Sequence, residues 1–331
     1  MKKADSTDGV LLPERLVPWP AGISAEARQK LREFASQPMR TDTPALADKA
    51  GWRKFIEETN ADILANSPLY AVPERPGVAS ETTKISGVTV HISTPAVIAK
   101  EARDRIFLEL HGGGLILLEG EGARRGSLRE AERLRVKTIS IDYRVPPDHP
   151  YPAALDDSVA VYAALLKTYR PQDIIVGGIS GGGNLAAALV LRARDEGLPL
   201  PQAVILLTPE LDLTESGDSF KTLADGLDPL SRHQRTQDIA IYAQGADLSH
   251  PYLSPLFGDF SRGYPPTFLQ CGARDMFLSN TIRMHRALRS AGVQAELHVW
   301  EGMPHGGFRG APEDDEIVVE MKNFIRQRWI D

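Results

Sequence analysis

The chain has 331 residues, of which 42% are hydrophobic and 25% are charged, and this is the composition of a globular protein rather than of a disordered or fibrous one. Its 38 basic and 44 acidic residues give a formal net charge of −6, which argues against a surface for nucleic acid or anionic membranes, because both partners require clustered cations. The single cysteine, Cys271, excludes an internal disulfide bond and fits a reducing compartment.

The first ten residues, MKKADSTDGV, contain no apolar core of the kind that a secretory signal requires. The longest apolar stretches of the chain fall far short of the roughly twenty residues of a spanning helix. We therefore expect a cytoplasmic protein without a membrane partner.

Residues 1–75 carry two helical patterns, over about 25–36 and 43–65, with prolines between them. Ser24 and Thr43 are the predicted N-caps, and Pro44 suits a first helical turn. Because two short helices cannot bury much surface alone, we expect them to lie on a larger body and to contribute to a cap over it.

From residue 82 onward, short β-rich runs alternate with amphipathic helical patterns. The runs cover 88–92, 106–110, 138–141, 174–179, 203–208, 267–271 and 295–299, and the helical patterns cover 123–135, 153–169, 183–195, 279–291 and 313–330. This alternation predicts an α/β fold with a mostly parallel central sheet flanked by helices. The continuously apolar runs 174–176 and 204–207 are typical of strands that are buried on both faces.

One connection is much longer than the others. About sixty residues separate the strand ending near Thr208 from the strand starting at Thr267, and they include a helical pattern near 235–244. A plain crossover does not need this length. We therefore predict a body spanning 76–331 that carries a cap insertion at about 212–250.

The sequence Gly178-Ile179-Ser180-Gly181-Gly182 follows an apolar strand and opens a helix. This G-x-S-x-G pattern in a strand–turn–helix context predicts a nucleophile elbow, in which a serine sits on a turn so sharp that its neighbours two residues away must be glycine. The alternatives are weaker, because a phosphate loop needs G-K-[ST] and a dinucleotide fingerprint needs G-x-G-x-x-G. Ser180 is therefore the predicted nucleophile.

A second glycine-rich element, His111-Gly112-Gly113-Gly114, follows the strand predicted at 106–110. Its backbone amides, together with the N–H of Gly181, are predicted to stabilise a negatively charged oxygen, and glycine permits the close approach that this requires. We interpret His111 as a structural residue of this loop.

A serine nucleophile needs a base, and the base needs an orienting carboxylate. In this type of site the chain order is serine, then acid, then histidine, which leaves five histidines as candidates: His233, His250, His285, His298 and His305. His305 is favoured because it lies in a loop just after the last predicted strand, where such sheets place their chemistry. For the acid, Asp275 follows the penultimate strand, but Glu210 and Asp212 follow an earlier strand and remain candidates.

These motifs resemble the bacterial hormone-sensitive-lipase-like family of α/β-hydrolase esterases over about residues 80–330. The similarity rests on the segments 111–114, 142–154 (Asp-Tyr-Arg-Val-Pro-Pro-Asp-His-Pro-Tyr-Pro-Ala-Ala), 178–185, 208–214, 274–275 and 302–306. The region after Arg274 is especially similar to the branch of monoterpene ε-lactone hydrolases and acetyl esterases. The resemblance implies an α/β-hydrolase fold with a helical cap. It also implies Ser180 as nucleophile, Asp275 as acid and His305 as base, with an oxyanion hole from Gly112, Gly113 and Gly181.

The chain departs from the family pattern at four positions: Ile179 and Gly181 in the elbow, Glu210 near the pocket, and Glu109 before the glycine loop. Extra carboxylates near a site alter substrate polarity or raise a pKa, so they affect the choice of substrate rather than the reaction.

The predicted function is that of a serine carboxylesterase that hydrolyses short- to medium-chain esters through an acyl-enzyme. A lactone or amide hydrolase with the same triad is the alternative, followed by a non-catalytic ligand-binding homologue. We expect a small-molecule ester as partner and neither a cofactor nor a metal ion. A homodimer is compatible with the resemblance, but the sequence does not establish one.

Overall fold

The computed structural model describes residues 16–36, 42–224 and 226–329. Its eight strands are β1 (Val78–Ile85), β2 (Val88–Pro95), β3 (Ile106–Leu110), β4 (Lys137–Ile141), β5 (Ile174–Ile179), β6 (Ala203–Leu207), β7 (Thr267–Gly272) and β8 (Ala295–Trp300). They form one sheet in the spatial order β1-β2-β4-β3-β5-β6-β7-β8. β2 is antiparallel to both of its neighbours, β1 and β4, and the six strands from β4 to β8 in this order are paired in parallel. The predicted α/β fold with a mostly parallel sheet is confirmed.

Nine α-helices lie within the described ranges. They are α1 (Ala25–Ser36), α2 (Lys49–Asn66), α3 (Glu121–Leu134), α4 (Ala153–Leu165), α5 (Gly181–Asp195), α6 (Ser219–Thr222), α7 (Arg232–Ala243), α8 (Leu278–Ser290) and α9 (Pro312–Arg328). None of these helices combines the length and the apolar character that crossing a bilayer demands.

The central strands are apolar because helices cover both faces of the sheet. Successive side chains of a strand point to opposite faces. On one face, Leu108 and Val176 join a core with residues of α4, α5 and α8. On the other, Phe107, Ile175 and Ile205 join a core with residues of α1 and α9. This two-sided burial explains the continuous apolar runs of β5 and β6.

The edge strand β1 has no apolar run and was not among the predicted strands. Six of its eight side chains are exposed, as suits an edge that polar residues protect from pairing with another molecule. The signal for it is the two-residue loop Ser86-Gly87, where both residues have positive φ angles of 51° and 83°. Loops of this kind join adjacent antiparallel strands.

Of the two amino-terminal helices, α1 agrees with the prediction and α2 begins later in the chain than predicted. α1 matches the predicted 25–36, and Ser24 Oγ accepts a hydrogen bond from the N–H of Ala27. α2 starts at Lys49, because Asp48 is the N-cap and accepts from the N–H of Gly51. The prediction that Thr43 caps this helix is therefore wrong.

The two helices contact different parts of the molecule. α1 lies against α9, where the backbone N–H and Oγ of Ser24 both donate to Glu313. α2 buries Trp52 in the larger core, and its Asn60 accepts a hydrogen bond from the N–H of Leu118. Residues 212–250 contain α6 and α7, and α7 buries Ile239 and Tyr242 in that same core. The assignment of residues 1–75 and 212–250 to a cap stays a prediction.

Candidate active site

The turn between β5 and α5 places Ser180 in a strained conformation, with φ 57° and ψ −125°. A Cβ atom on Gly178 would lie 2.3 Å from the carbonyl oxygen of Gly182. A Cβ atom on Gly182 would lie 2.0 Å from the carbonyl oxygen of Leu110. Both distances are impossible for real side chains, so the sharp turn itself requires glycine at 178, and the close approach of the end of β3 requires glycine at 182.

Three side chains from three separate loops meet at one edge of the sheet. The Nε2 atom of His305 lies 3.0 Å from Oγ of Ser180. The Nδ1 atom of the same ring lies 3.2 and 3.3 Å from the two carboxylate oxygens of Asp275. These residues follow β5, β7 and β8, whose carboxyl ends share this edge because the strands are parallel. The structure thus brings together the three residues that the sequence had singled out.

The imidazole of His305 is held on several sides. Thr208 Oγ1 lies 3.1 Å from Nδ1, and the ring of Phe277 packs edge-on against the imidazole with centroids 4.9 Å apart. A proton on Nδ1 can be donated to Asp275 and Thr208, and this tautomer leaves the lone pair of Nε2 facing Ser180. The ring is therefore oriented to accept a proton from the serine.

A second buried carboxylate, Asp228 from the inserted segment, ties the acid and base loops together. It accepts hydrogen bonds from the N–H groups of Met276 and His305 with one oxygen and from Leu230 with the other. Burial raises the pKa of Asp228 to about 7. The charge of Asp275 also raises this pKa, and that of His305 lowers it. Sequence reasoning missed Asp228, because it lies far from both loops in the chain and belongs to no motif.

The protonation of His305 reflects competing influences. The ring is only 7% exposed, and this burial opposes the charged form. The carboxylates Asp275 and Asp228 outweigh burial and the repulsion of Arg309, and they raise the pKa of His305 above its ordinary value.

The glycine loop after β3 lies beside the nucleophile. A Cβ atom built on Gly112 would lie 3.9 Å from Cβ of Ser180. His111 anchors the loop: its ring stacks on Tyr143 at 3.9 Å, and its Nδ1 donates to the carbonyl oxygen of Gly112 over 2.8 Å. Burial lowers the pKa of His111 to about 4, so the ring is neutral and cannot disturb the charge of the site.

Gly181 is the first residue of α5, and the amides of a first helical turn have no partner within the helix. Its N–H is therefore available to an anion at the nucleophile. A Cβ atom at this position would lie 2.7 Å from the backbone nitrogen of Leu115. The glycine at 181 thus permits the loop after β3 to approach the elbow closely.

Glu210 does not point into the cavity as a free carboxylate. Both of its oxygens accept from Nη2 of Arg235 over 2.7 Å, and Nη1 of the same guanidinium donates to Asp238 over 2.8 Å. All three side chains are buried. Nη1 also donates to the carbonyl oxygen of Gly114 over 3.3 Å, so this ion-pair network links α7 to the glycine loop.

Glu109 lies on the side of the sheet covered by α3. A Cβ atom on Gly126 would lie 3.1 Å from one of its oxygens. Burial raises the pKa of Glu109 to about 7. The charge of Glu130 also raises this pKa, whereas the charges of Arg129 and Arg133 lower it. It belongs to the packing beneath α3 and does not line the cavity at Ser180.

The other candidate residues have different contacts. Asp212 accepts from Thr214, Ser216 and Arg283. Of the remaining histidines, His233 is exposed, His250 accepts from the N–H of Tyr252, His298 stacks on Phe268, and His285 lies on α8. None of these five residues contacts Ser180 or His305 in the described structure.

A cavity of about 310 Å³ opens onto Ser180 and His305. One side is apolar, with Ile63 of α2 and Leu117 and Leu118 of the glycine-loop region. The lining also includes residues of the inserted segment, among them Leu230 and the paired Arg235. Its volume lies at the lower end of the range for small-molecule sites.

Comparisons with known proteins agree with the α/β-hydrolase fold. A family profile described as an alpha/beta hydrolase fold matches residues 107–309. The chain is 32% identical over 240 residues to an esterase of Acinetobacter venetianus, covering 70% of this chain and 75% of that protein.

Two solved structures extend the similarity to nearly the whole chain. The crystal structure of an esterase named E25 superposes with a TM-score of 0.84 at 34% identity, over 97% of this chain and 99% of that one. An esterase from the bacterial hormone-sensitive lipase family superposes with a TM-score of 0.77 at 28% identity, over 93% of this chain and 99% of that one.

Proposed function

This chain belongs to the bacterial hormone-sensitive-lipase-like family of α/β-hydrolases, an esterase family, and on that premise we propose that it is a serine carboxylesterase acting through an acyl-enzyme. The observation that carries the proposal is the 3.0 Å contact between Ser180 Oγ and His305 Nε2, with Asp275 on the opposite nitrogen of the ring. The substrate is a small carboxylic ester with a short to medium acyl chain.

In the first step, Ser180 Oγ attacks the ester carbonyl carbon while Nε2 of His305 takes the hydroxyl proton. Asp275 keeps the other ring proton on Nδ1 and stabilises the imidazolium that forms. The carbonyl oxygen becomes an oxyanion, and the N–H groups of Gly112, Gly113 and Gly181 are its donors. Each such donor contributes about 3 kcal/mol to the transition state in comparable sites.

In the second step, the tetrahedral intermediate collapses and the carbon–oxygen bond to the alcohol breaks. His305 returns its proton to the departing alcohol oxygen, which leaves an acyl group on Ser180. A water molecule then gives its proton to the same nitrogen and attacks the acyl carbon. The acid is released, and Ser180 regains its proton. Residues of α2 and α7 border the cavity and act as its cap.

Chain-length preference tests the size of the cavity. With 4-nitrophenyl esters from acetate to dodecanoate, we expect kcat/KM to be highest among the acyl chains of two to six carbons and to fall for longer chains, because the cavity of about 310 Å³ has little room beyond them. The measurement is the release of 4-nitrophenol by the purified protein. A maximum at dodecanoate would contradict the proposed preference, and the absence of turnover for every ester would contradict the proposed function.

The pH dependence of kcat/KM tests the role of His305. The base must be neutral to accept a proton, and its pKa is raised above the ordinary 6.5. The activity is therefore expected to be lost as the pH falls through a midpoint above 6.5, and not below it. Charged groups facing the ring are Asp275, Asp228 and Arg309, so the midpoint belongs to this coupled cluster rather than to one residue.

The variant Asp228→Asn separates the contributions to this midpoint. Removing a negative charge beside the imidazole is expected to move the acid limb of the kcat/KM profile to lower pH. Asp148→Asn is the control, because Asp148 pairs with Arg53 on the surface and should leave the profile unchanged. An acid limb that stays in place in Asp228→Asn would show that this carboxylate does not act on His305.

A further inference from the structure

A second, smaller cavity of about 180 Å³ adjoins the cavity at Ser180. The two cavities have four lining residues in common, namely Leu69, Ile179, Gly306 and Arg309. Thr208, which contacts the imidazole of His305, also lines the smaller cavity. Arg309 therefore lies where the two cavities adjoin.

Two arginines line the cavity at Ser180, and their surroundings differ sharply. Arg235 is matched by the carboxylates of Glu210 and Asp238. Arg309 forms no hydrogen bond and no ion pair with any part of the chain that the structure describes, and its Nε atom is buried without a partner. Arg309 is thus a cation beside the reaction centre whose hydrogen-bond donors are unused.

The nearest carboxylates do not satisfy Arg309. Asp228 and Asp314 act on it electrostatically, but their oxygens already serve backbone amides. Asp314 accepts from the N–H groups of Phe308, Gly310 and Ala311, and Asp228 holds the acid and base loops as described above. Each carboxylate thus accepts three hydrogen bonds from backbone amides, and neither forms a hydrogen bond with Arg309.

The guanidinium of Arg309 is positioned rather than mobile in solvent. It lies over the ring of Phe34 at 5.0 Å, and the side chain is partly buried. Its backbone has a positive φ of 63°. This backbone conformation is uncommon for a residue with a side chain. Together with the contact to the ring of Phe34, it holds the guanidinium at the junction of the two cavities.

The smaller cavity strengthens the positive character of this junction. Arg129 and Arg133 also line it, and both pair with the single carboxylate of Glu130. The Nη2 atom of Arg133 is buried without a hydrogen-bond partner. Two further guanidinium groups therefore line the smaller cavity together with that of Arg309.

On this basis, and resting on the esterase function proposed above, we propose that the substrate is an ester that also carries a carboxylate group, which binds to Arg309 at the junction of the two cavities. An arginine fork matches a carboxylate with two parallel charge-assisted hydrogen bonds. A neutral ester would leave the buried Nε of Arg309 unpaired, and an unpaired buried donor weakens binding. The carboxylate lies on either the acyl or the alcohol portion of the ester.

Matched pairs of anionic and neutral esters test the proposal. The mono-4-nitrophenyl ester of glutaric acid is compared with 4-nitrophenyl pentanoate for the acyl portion, and carboxymethyl butyrate with ethyl butyrate for the alcohol portion. In the wild-type enzyme, we expect kcat/KM for the anionic member of one pair to exceed that of the neutral member by about tenfold or more, mainly through a lower KM.

Variants at position 309 identify the residue responsible. Arg309→Gln is expected to reduce the anionic-to-neutral ratio of kcat/KM by about tenfold or more, and Arg309→Lys, which keeps the charge without the fork, by less. Arg326→Gln is the control, because Arg326 is exposed on α9 and should leave the ratio unchanged. The proposal is overturned if both wild-type ratios are one or lower, or if Arg309→Gln leaves them as they were.

A binding measurement separates this proposal from the esterase function. Calorimetric titration of the Ser180→Ala protein with monomethyl glutarate and with methyl pentanoate requires no turnover. We expect tighter binding of monomethyl glutarate, and loss of that preference in the Ser180→Ala, Arg309→Gln double variant. Equal binding of the two esters would overturn the carboxylate site even if neutral esters are hydrolysed, whereas a preference without any turnover would leave the site intact and reject the esterase.

Discussion

Replacing Ser180 with alanine is expected to lower kcat for 4-nitrophenyl butyrate by roughly four to six orders of magnitude, with little change in KM. The reason is that Oγ is the atom that forms the acyl-enzyme, and among the residues that the structure describes no other hydroxyl is in hydrogen-bond contact with Nε2 of His305. The oxyanion donors are backbone amides and stay in place, so a small residual rate above the uncatalysed reaction is expected to remain.

Two comparisons make this experiment specific. Ser158→Ala is the control, because Ser158 is a buried serine on α4 whose Oγ donates to the carbonyl oxygen of Ala154, away from the cavity. That variant should keep wild-type activity. An organophosphonate that reacts with serine hydrolases should add its mass to the peptide containing residue 180 in the wild type and not in Ser180→Ala. Wild-type activity in Ser180→Ala would reject the proposed nucleophile.

Replacing Asp275 with asparagine is expected to lower kcat by about 10⁴-fold while the fold is retained. Asp275 is fully buried and accepts a hydrogen bond from the protonated Nδ1 of His305. An amide in its place can donate to Nδ1, and this would favour the tautomer with its proton on Nε2. In that tautomer the ring cannot take the proton of Ser180, so the loss arises from the wrong proton position rather than from lost packing.

The rival acids from the sequence supply the matched controls. Asp212→Asn should have a small effect on kcat, because Asp212 is bound to Arg283 and to two hydroxyl groups and does not touch the imidazole. Glu210→Gln is expected to act on stability, since it leaves Arg235 buried with a weaker partner. Thermal unfolding separates these effects from chemistry. If Asp212→Asn lowered kcat as much as Asp275→Asn does, Asp275 would no longer be identified as the acid of the triad.

The sequence located correctly those elements that are determined by the character of their own residues. The strand bounds 106–110 and 174–179 agree with β3 and β5, because burial on both faces requires an uninterrupted apolar run. The elbow at Ser180 was also predictable, since the turn itself excludes a Cβ atom at Gly178, although the clash that requires glycine at 182 is with the end of β3. By contrast, β1 is stabilised by pairing with β2 and not by its own composition, so its polar sequence contained little signal.

The active site likewise contains residues that the sequence predicted and residues whose role only the structure shows. The order of serine, acid and histidine in the chain, together with their places after predicted strands, was sufficient to select Ser180 and His305, and the family resemblance selected Asp275. The sequence could not reveal Asp228, whose contacts join loops more than 45 positions apart in the chain, with separations of 48 and 77 residues. Nor could it show that Glu210 is matched by Arg235 while Arg309 is not.

The sequence by itself determined the buried strands of the sheet, the elbow and the residue types available for acyl transfer, because the strands follow from burial and the elbow largely from steric limits between neighbouring residues. The tertiary structure alone decided which carboxylate joins the acid and base loops, which buried charges cancel one another and which cation is left over at the cavity. Those outcomes depend on distances between segments far apart in the chain, and electrostatic interactions between buried groups change steeply with such distances.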